Sequence, residues 1–313
     1  MGGYQHQPVM GREVVELLAG IPTGVVVDAT VGGGGHARLL LEARNDLRLI
    51  GIDRDPAAVA AAGAALAPYG DRARVIQGGF HEMSAIVSSV SEGSVMGILM
   101  DLGVSSPQLD HQERGFSYWG DAPLDMRMDS IQELTAERVV NEYSEADLAR
   151  LIATNGEERF AQRIAAAIVA ARPLRTTSEL VNVVRDAIPA RNRRHGGHPA
   201  RRSFQAIRME VNRELPNLAE GLDESVHLLS PGGRVLVLSY HSLEDRLVKE
   251  RFTKWEAKVP VPPGMPVEPT PSGVVRILTR RGLRPKADEV AANPRARSAR
   301  LRAAERLGVA THS

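Results

Sequence analysis

The stretch Val25-Val-Val-Asp-Ala-Thr-Val-Gly-Gly-Gly-Gly-His36 decides the fold. An apolar run ends in a carboxylate, passes into four consecutive glycines and continues as Gly35–Ala43, whose composition is helical. That is a strand, a glycine turn and a helix, the opening of a βαβ unit. Three more short apolar runs follow, Leu47–Asp53, Ala73–Gln77 and Val95–Asp101, with helical segments Pro56–Ala67 and Met83–Val90 between them. Asp55-Pro56 supplies an N-cap residue followed by proline at the first helical position. Strands alternating with helices of this length predict an α/β fold on a doubly wound, Rossmann-like parallel sheet.

After Asp101 the rhythm stops, and the next strand-like run is Val235–Ser239, preceded by the turn Ser230-Pro-Gly-Gly-Arg234. The gap is about 130 residues, where one crossover takes roughly 30. Inside it the sequence is helical, with capping boxes at Ser144-x-x-Asp147 and Thr176-x-x-Glu179. Residues 105–213 therefore read as an inserted helical domain, with the crossover helix resuming near Asn217; 1–104 and 214–313 form the sheet domain. His241–Trp255 reads as a helix, and Lys258–Ser272, with six of the 19 prolines, as a loop. Val274–Thr279 reads as a last strand and a hairpin partner for Val235–Ser239, while Arg295–Arg306 has helical spacing.

With 313 residues, 43% hydrophobic and 25% charged, the chain has the composition of an ordinary globular protein. The net charge of +1, from 39 basic against 38 acidic residues, leaves any nucleic-acid affinity to local patches. Two stand out. Arg191–Arg202 holds five arginines and two histidines with no acid, and Arg276–Arg306 holds ten Lys/Arg against three acids. The first is the better candidate for phosphate contact. Cysteine is absent, which excludes disulfides, cysteine-ligated metals and thiol nucleophiles. Met1–Pro8 is polar and lacks a signal-peptide pattern, and Ala57–Ala67 is too short to span ~30 Å of hydrocarbon. The chain reads as soluble and cytoplasmic, and no His/Asp/Glu cluster demands a metal.

The glycine turn satisfies the dinucleotide pattern, Gly32-x-Gly34-x-x-Ala37, with Asp53 about twenty residues on. The pattern alone does not separate a nicotinamide cofactor from S-adenosylmethionine (SAM). Charge does. A dinucleotide brings a pyrophosphate to the helix N-terminus, where a nearby carboxylate is unwelcome. SAM brings no phosphate, but carries an ammonium and a sulfonium. Asp28 and Asp101, at the tips of two strands expected to be neighbours, suit such a cation, and Asp53 is placed for ribose hydroxyls. The plainer reading, that the three acids merely cap strands or helices, stands beside it.

Further blocks carry a specific resemblance: Asp101-Leu-Gly-Val-Ser-Ser-Pro-Gln-Leu-Asp110, Arg114-Gly-Phe-Ser117, Pro123-Leu-Asp-Met-Arg-Met-Asp129, Gly156-Glu-Glu-Arg-Phe160, Ser239-Tyr-His-Ser-Leu-Glu-Asp-Arg246 and Asn293-Pro-Arg-Ala-Arg-Ser298. From His6 almost to the C-terminus the chain resembles the bacterial 16S ribosomal RNA cytosine-N4 methyltransferases of the MraW type. The resemblance implies a class I SAM-dependent methyltransferase sheet with an inserted substrate-recognition domain. It implies methylation of the exocyclic amine of one cytidine in the decoding region of the small ribosomal subunit. It also implies cofactor contacts at Gly34, Gly35, His36, Asp53, Phe80, Asp101 and Gln108. The motif after the fourth strand departs from many amino-methylating enzymes, with Ser105-Ser106-Pro107-Gln108 in place of a Pro-Pro-aromatic sequence.

Without cysteine, the covalent route to cytosine C5 is closed, whereas methylation at N4 needs only positioning and a hydrogen-bond acceptor for the amine. Candidate acceptors are Asp101, Ser105, Ser106 and the His241-Ser242 turn. Phe116, Tyr118 and Trp119 are a quarter of the 12 aromatic residues and read either as a stacking wall for a flipped base or as a small core. A nicotinamide oxidoreductase and a non-catalytic RNA-binding assembly factor are the competing readings.

Overall fold

A computed structural model describes residues 8–90, 93–103, 112–193, 197–256 and 273–308. The chain forms two compact units, one from Met1–Gly103 with Leu215–Ser313, the other Val104–Glu214.

The first unit is a seven-stranded sheet. Its strands are β1 (Gly24–Asp28), β2 (Leu47–Asp53), β3 (Ala73–Gln77), β4 (Val95–Asp101), β5 (Leu229–Ser239), β6 (Val275–Ile277) and β7 (Arg300–Arg306). They lie in the order β3-β2-β1-β4-β5-β7-β6. The pairs among β1–β5 are parallel, and β7 runs antiparallel to both β5 and β6. This order, with one reversed strand near the end, is that of class I SAM-dependent methyltransferases.

Side chains alternate between two apolar layers, as a sheet covered on both faces requires. Val26, Leu49, Leu99 and Leu236 pack against α1 (Gly11–Leu18), α2 (Gly35–Ala43) and α3 (Pro56–Leu66). Val27, Ile50, Ile98 and Val235 point the other way, into the layer of α4 (Met83–Val90). The α3 helix starts as its sequence dictates: the Asp55 carboxylate accepts from Ala57 N at 3.0 Å, with proline at the first position.

The second unit is helical: α5 (Ala136–Glu142), α6 (Glu145–Gly156), α7 (Ala161–Ala170), α8 (Thr177–Ala187) and α9 (Arg201–Val211). Ser144 Oγ accepts from Asp147 N at 3.1 Å, and Thr176 and Glu179 form a reciprocal capping box. The helices enclose a core of Leu148, Ile152, Ile164, Leu180 and Phe204, which also takes in Phe116, Leu124, Met126 and Met128. The Pro123–Asp129 block is thus part of the framework. Asn212 Nδ2 donates to Met126 O at 2.7 Å and Asn212 Oδ1 accepts from Met128 N at 2.8 Å. Arg114 donates to the carbonyls of Arg127 and Met128. After this unit, α10 (Glu214–Leu228) returns the chain to the sheet, and α11 (Ser242–Trp255) and α12 (Ala287–Ala292) follow.

Two expectations are corrected. Val275–Ile277 pairs with β7 and not with Val235–Ser239. The arginine-rich run is not a helix: Pro294–Ser298 is a 3-10 turn and Arg300–Arg306 a strand. Alanine, arginine and glutamate favour helix, but a slot between β5 and β6 overrides propensity. Arg302 is buried there because Asp245 on α11 meets it, with Nε–Oδ1 at 2.6 Å and Nη2–Oδ2 at 3.1 Å. Arg300 reaches the same carboxylate at 3.2 Å.

Candidate cofactor site

Asp28, Asp53 and Asp101 are the last residues of β1, β2 and β4. In the sheet, β1 lies between β2 and β4, and the strand order reverses between β1 and β4. The carboxyl ends of strands flanking such a reversal open a crevice that binds ligands in α/β sheets. The glycine loop sits over it, tied down by Val31 N to Ile52 O at 2.9 Å and Gly32 N to Asp53 Oδ2 at 3.0 Å. Gly34 has φ of 79° and caps α2, and a Cβ there would meet Ala62, Ala65 and Leu66 of α3 at 3.5 Å. Glycine at 34 serves the turn and the packing. Gly33 differs, because a Cβ built on it meets nothing within 4 Å. It offers bare backbone to open space.

Beneath the loop, Asp28 is 1% exposed. Its Oδ1 accepts from Thr30 N at 3.3 Å, and its Oδ2 has no hydrogen-bond partner among the described residues. Burial pushes this carboxyl up to about 7, against the lowering effects of His36 and Thr30 and with a further push from Asp101 and Asp53. His36, on the first turn of α2, is also buried, and neither ring nitrogen makes a well-formed hydrogen bond. Its Nε2 lies 3.5 Å from Asp101 Oδ2, an ion-pair distance. Burial pulls the imidazole pKa down, but Asp101, Asp28 and Glu289 outweigh it, and the net direction is upward.

Asp101 is held on two further sides. Its backbone N donates to Thr30 Oγ1 at 2.6 Å, and its Oδ1 accepts from the Tyr240 hydroxyl at 2.7 Å. Burial, with the Asp101 charge next in weight, holds the Tyr240 hydroxyl well above the ordinary tyrosine range. Asp53 accepts from Gly32 N through Oδ2 and from Asp55 N through Oδ1 at 2.9 Å, so it braces the loop and retains lone pairs for a ligand. Burial raises its pKa, and these two hydrogen bonds work against the rise.

The loop, His36, Asp53 and Asp101 thus come together, with Gly34 and Gly35 at the α2 N-terminus. Phe80 lies after β3 in the 3-10 turn Phe80–Glu82 and is 8% exposed, packed in the core with Leu218 and Leu222. A Cβ on Gly221 would come within 2.6 Å of the Phe80 ring, so α10 can run close only with glycine at 221. Gln108, Ser105 and Ser106 lie outside the described residues. His241 has a structural role: its Nδ1 accepts from Glu244 N at 3.4 Å and caps α11, while its Nε2 lies 3.1 Å from Glu244 Oε1 without a well-formed hydrogen bond. Sequence reasoning did not single out Thr30, Gly33 or Tyr240. Tyr240 carries no local signal, because its place follows from β5 lying beside β4.

The donor set fits SAM. A buried carboxylate oxygen without a partner, a second carboxylate within reach of the same imidazole and an open glycine face suit a zwitterionic amino acid whose sulfur is positively charged. A pyrophosphate would bring two further negative charges to this crevice.

Residues 3–307 match the MraW methylase family. A "Ribosomal RNA small subunit methyltransferase H" from Symbiobacterium thermophilum is 49% identical over 309 residues, 97% of each chain. The protein of the same name from Thermobifida fusca is 52% identical over 308 residues, 96% of this chain and 93% of its own. A third, from Syntrophotalea carbinolica, is 50% identical over 311 residues, 97% of this chain and 98% of its own. With its sheet order, its carboxylate-lined crevice and a match along nearly its whole length, the chain belongs to the MraW methylase family, whose methyl donor is SAM.

Proposed function

We propose that this protein methylates the exocyclic N4 amine of one cytidine in the decoding region of 16S rRNA, within the small ribosomal subunit. Methylation of small-subunit ribosomal RNA is the activity its relatives' names carry. The cytidine and the N4 position come from the family resemblance and from the chemistry left open by the sequence. The observation that carries the methyl-transfer reading is the unpartnered Asp28 Oδ2 beside His36 and Asp101 under the glycine loop. A buried carboxylate without a partner calls for an explanation, and a cationic ligand in the crevice supplies one.

When bound, SAM supplies a methyl group activated by a positive sulfur. The chain's own residues bind, orient and accept protons. Asp53 faces the ribose, the backbone around Gly33–Gly35 lines the amino-acid end, and Asp28, His36 and Asp101 balance its charge. Gln108 and Phe80 complete the proposed contact set. Cytosine N4 is a weak nucleophile whose protons must be drawn off as a bond forms, so the segment beginning at Asp101 provides hydrogen-bond acceptance and alignment. Extracting the base from its stack costs roughly a few kcal/mol, which RNA contacts elsewhere offset. We assign those contacts to the inserted helical unit as the substrate-recognition domain. A ribosomal substrate supports a cytoplasmic location for the enzyme.

The deciding experiment is transfer of labelled methyl from SAM to small subunits that lack this modification, followed by nucleoside analysis of the RNA. Label in N4-methylcytidine is expected. Label in another nucleoside, or bound SAM with no label in RNA, overturns the reading.

A further inference from the structure

The three clustered aromatics of the helical unit divide sharply. Phe116 is in the core and Tyr118 packs against it, but Trp119 is 66% exposed. It is not loosely placed. Trp119 N donates to Ser117 Oγ at 3.0 Å, and three residues on, Ala122 N donates to Thr177 Oγ1 at 3.1 Å while Thr177 N donates to Ala122 O at 2.8 Å. The segment is thereby tied to the first turn of α8. His198, from the basic loop, stacks on Tyr118 with ring centres 4.6 Å apart and planes 16° from parallel. Trp119 meets His198 edge-on at 4.8 Å. Burial lowers the His198 pKa, so its ring is neutral at pH 7 and stacks without a charge.

Beside the rings, Arg201 N donates to His198 O at 3.1 Å, and the Arg201 side chain has no acidic partner among the described residues. Arg193 and Arg202 are different, since they donate to Ile188 O at 2.8 Å and Glu157 O at 3.0 Å and so brace the loop. Arg201 stands in the first turn of α9, where the helix dipole disfavours a cation, so helix stability does not account for it. An exposed indole on a fixed loop, backed by two stacked rings, with Arg201 three residues after the stacked His198, is complementary to a polyanion that carries flat bases.

We propose that Trp119, backed by His198 and Tyr118, is a stacking seat for one unpaired base of the RNA substrate, and that Arg201 contacts an adjacent phosphate. The proposal rests on the reading of rRNA as substrate and adds where on the helical unit a single-stranded segment is held.

The chain has two tryptophans, so Trp255→Phe leaves Trp119 as the sole indole reporter. This variant is titrated with a single-stranded mixed-sequence RNA of about a dozen nucleotides, a length within the site sizes of such binders, and with an abasic ribose-phosphate chain of equal length. Quenching by the RNA and not by the abasic chain is expected. Trp119→Ala should weaken RNA binding roughly tenfold and raise KM for the RNA substrate with SAM affinity unchanged, and Trp119→Phe should restore most of the loss. Arg201→Gln should flatten the salt dependence of binding. Equal quenching by both chains, or unchanged RNA affinity in Trp119→Ala, overturns the stacking seat. So does protection of Trp119 by a subunit protein alone. Methyl transfer that persists in those cases leaves the functional reading intact, whereas quenching without any methyl transfer overturns that reading and leaves the seat.

Discussion

Each unit buries a polar centre, and the two are built on opposite terms. In the helical unit, Asn212 is 1% exposed and fully engaged, its amide bridging Met126 O and Met128 N while also donating to Arg208 O at 2.9 Å. In the sheet unit, Asp28 is just as deeply buried, yet among the described residues one carboxylate oxygen has no hydrogen-bond partner and His36 Nε2 has Asp101 only at 3.5 Å. A satisfied buried group fixes architecture, whereas an unsatisfied one beside a crevice is open to a ligand. Side-chain burial alone does not distinguish the two. The count of partners does.

The comparison breaks most severely at Asn212. Replacing it with alanine orphans two buried backbone groups, each at about 1–3 kcal/mol. Asn212→Ala should therefore lose about 2–5 kcal/mol in urea unfolding followed by helical circular dichroism. A near-wild-type midpoint would show that the bridge is dispensable.

Asp101→Ala tests the other pole. SAM affinity should fall about ten- to hundredfold, as for loss of a hydrogen bond to a charged group, with the melting temperature almost unmoved. Wild-type affinity by isothermal titration calorimetry would remove Asp101 from the site.

Asp28 sharpens the contrast through pH. Its folded pKa of about 7 lies above the model-peptide value of 3.8, so its protonated form stabilises the free protein. That contribution is complete below about pH 4 and is lost as pH rises through 7. The His36 pKa is raised as well, by Asp101, Asp28 and Glu289 against burial, and Asp101, Asp53 and Glu289 are the remaining charges facing the pair. A cationic ligand favours the ionised carboxyl, so SAM affinity should rise up to about tenfold per unit as pH climbs toward 7. Asp28→Asn should remove the carboxyl's share of this rise and the matching decline in unliganded stability. An unchanged pH profile in that variant would remove Asp28 from the linkage.

The smallest effect is expected at Tyr240, which acts by holding the Asp101 carboxylate at 2.7 Å. Tyr240→Phe should lower kcat roughly fivefold, the value of about 1 kcal/mol for one hydrogen bond, with KM for SAM unchanged. An equal rise in KM would mean that the tyrosine helps to bind the cofactor.

Much of the sheet unit was legible because its parallel strands are buried on both faces and read as unbroken apolar runs. Leu47–Asp53, Ala73–Gln77 and Val95–Asp101 are strands over those same residues, and Gly35–Ala43 and Met83–Val90 are helices over theirs. The three terminal aspartates were legible for the same reason, since a charge ends each run where the sheet meets its crevice. Arg300–Arg306 was opaque. Its strand depends on Asp245, 57 residues away from Arg302, which no local pattern records. Tyr240 was likewise hidden, because its role follows from β5 lying beside β4, a fact of topology across an inserted unit. The aromatic cluster could not be divided from sequence either, for only packing separates the buried Phe116 from the exposed Trp119.

The place of β7 also bears on the order in which the molecule can assemble. Arg234 of β5 and Glu305 of β7 pair at 3.0 Å although 71 residues separate them. As the chain is synthesised, the whole helical unit emerges before β5, and its contacts are local enough to form at once. The strand Leu229–Ser239 then has one flank on β4 and the other bare, a row of free amides and carbonyls open to any passing edge. That flank is closed only when Arg300–Arg306 arrives, and a ribosome stalled between the two would display a nearly finished enzyme with an adhesive side.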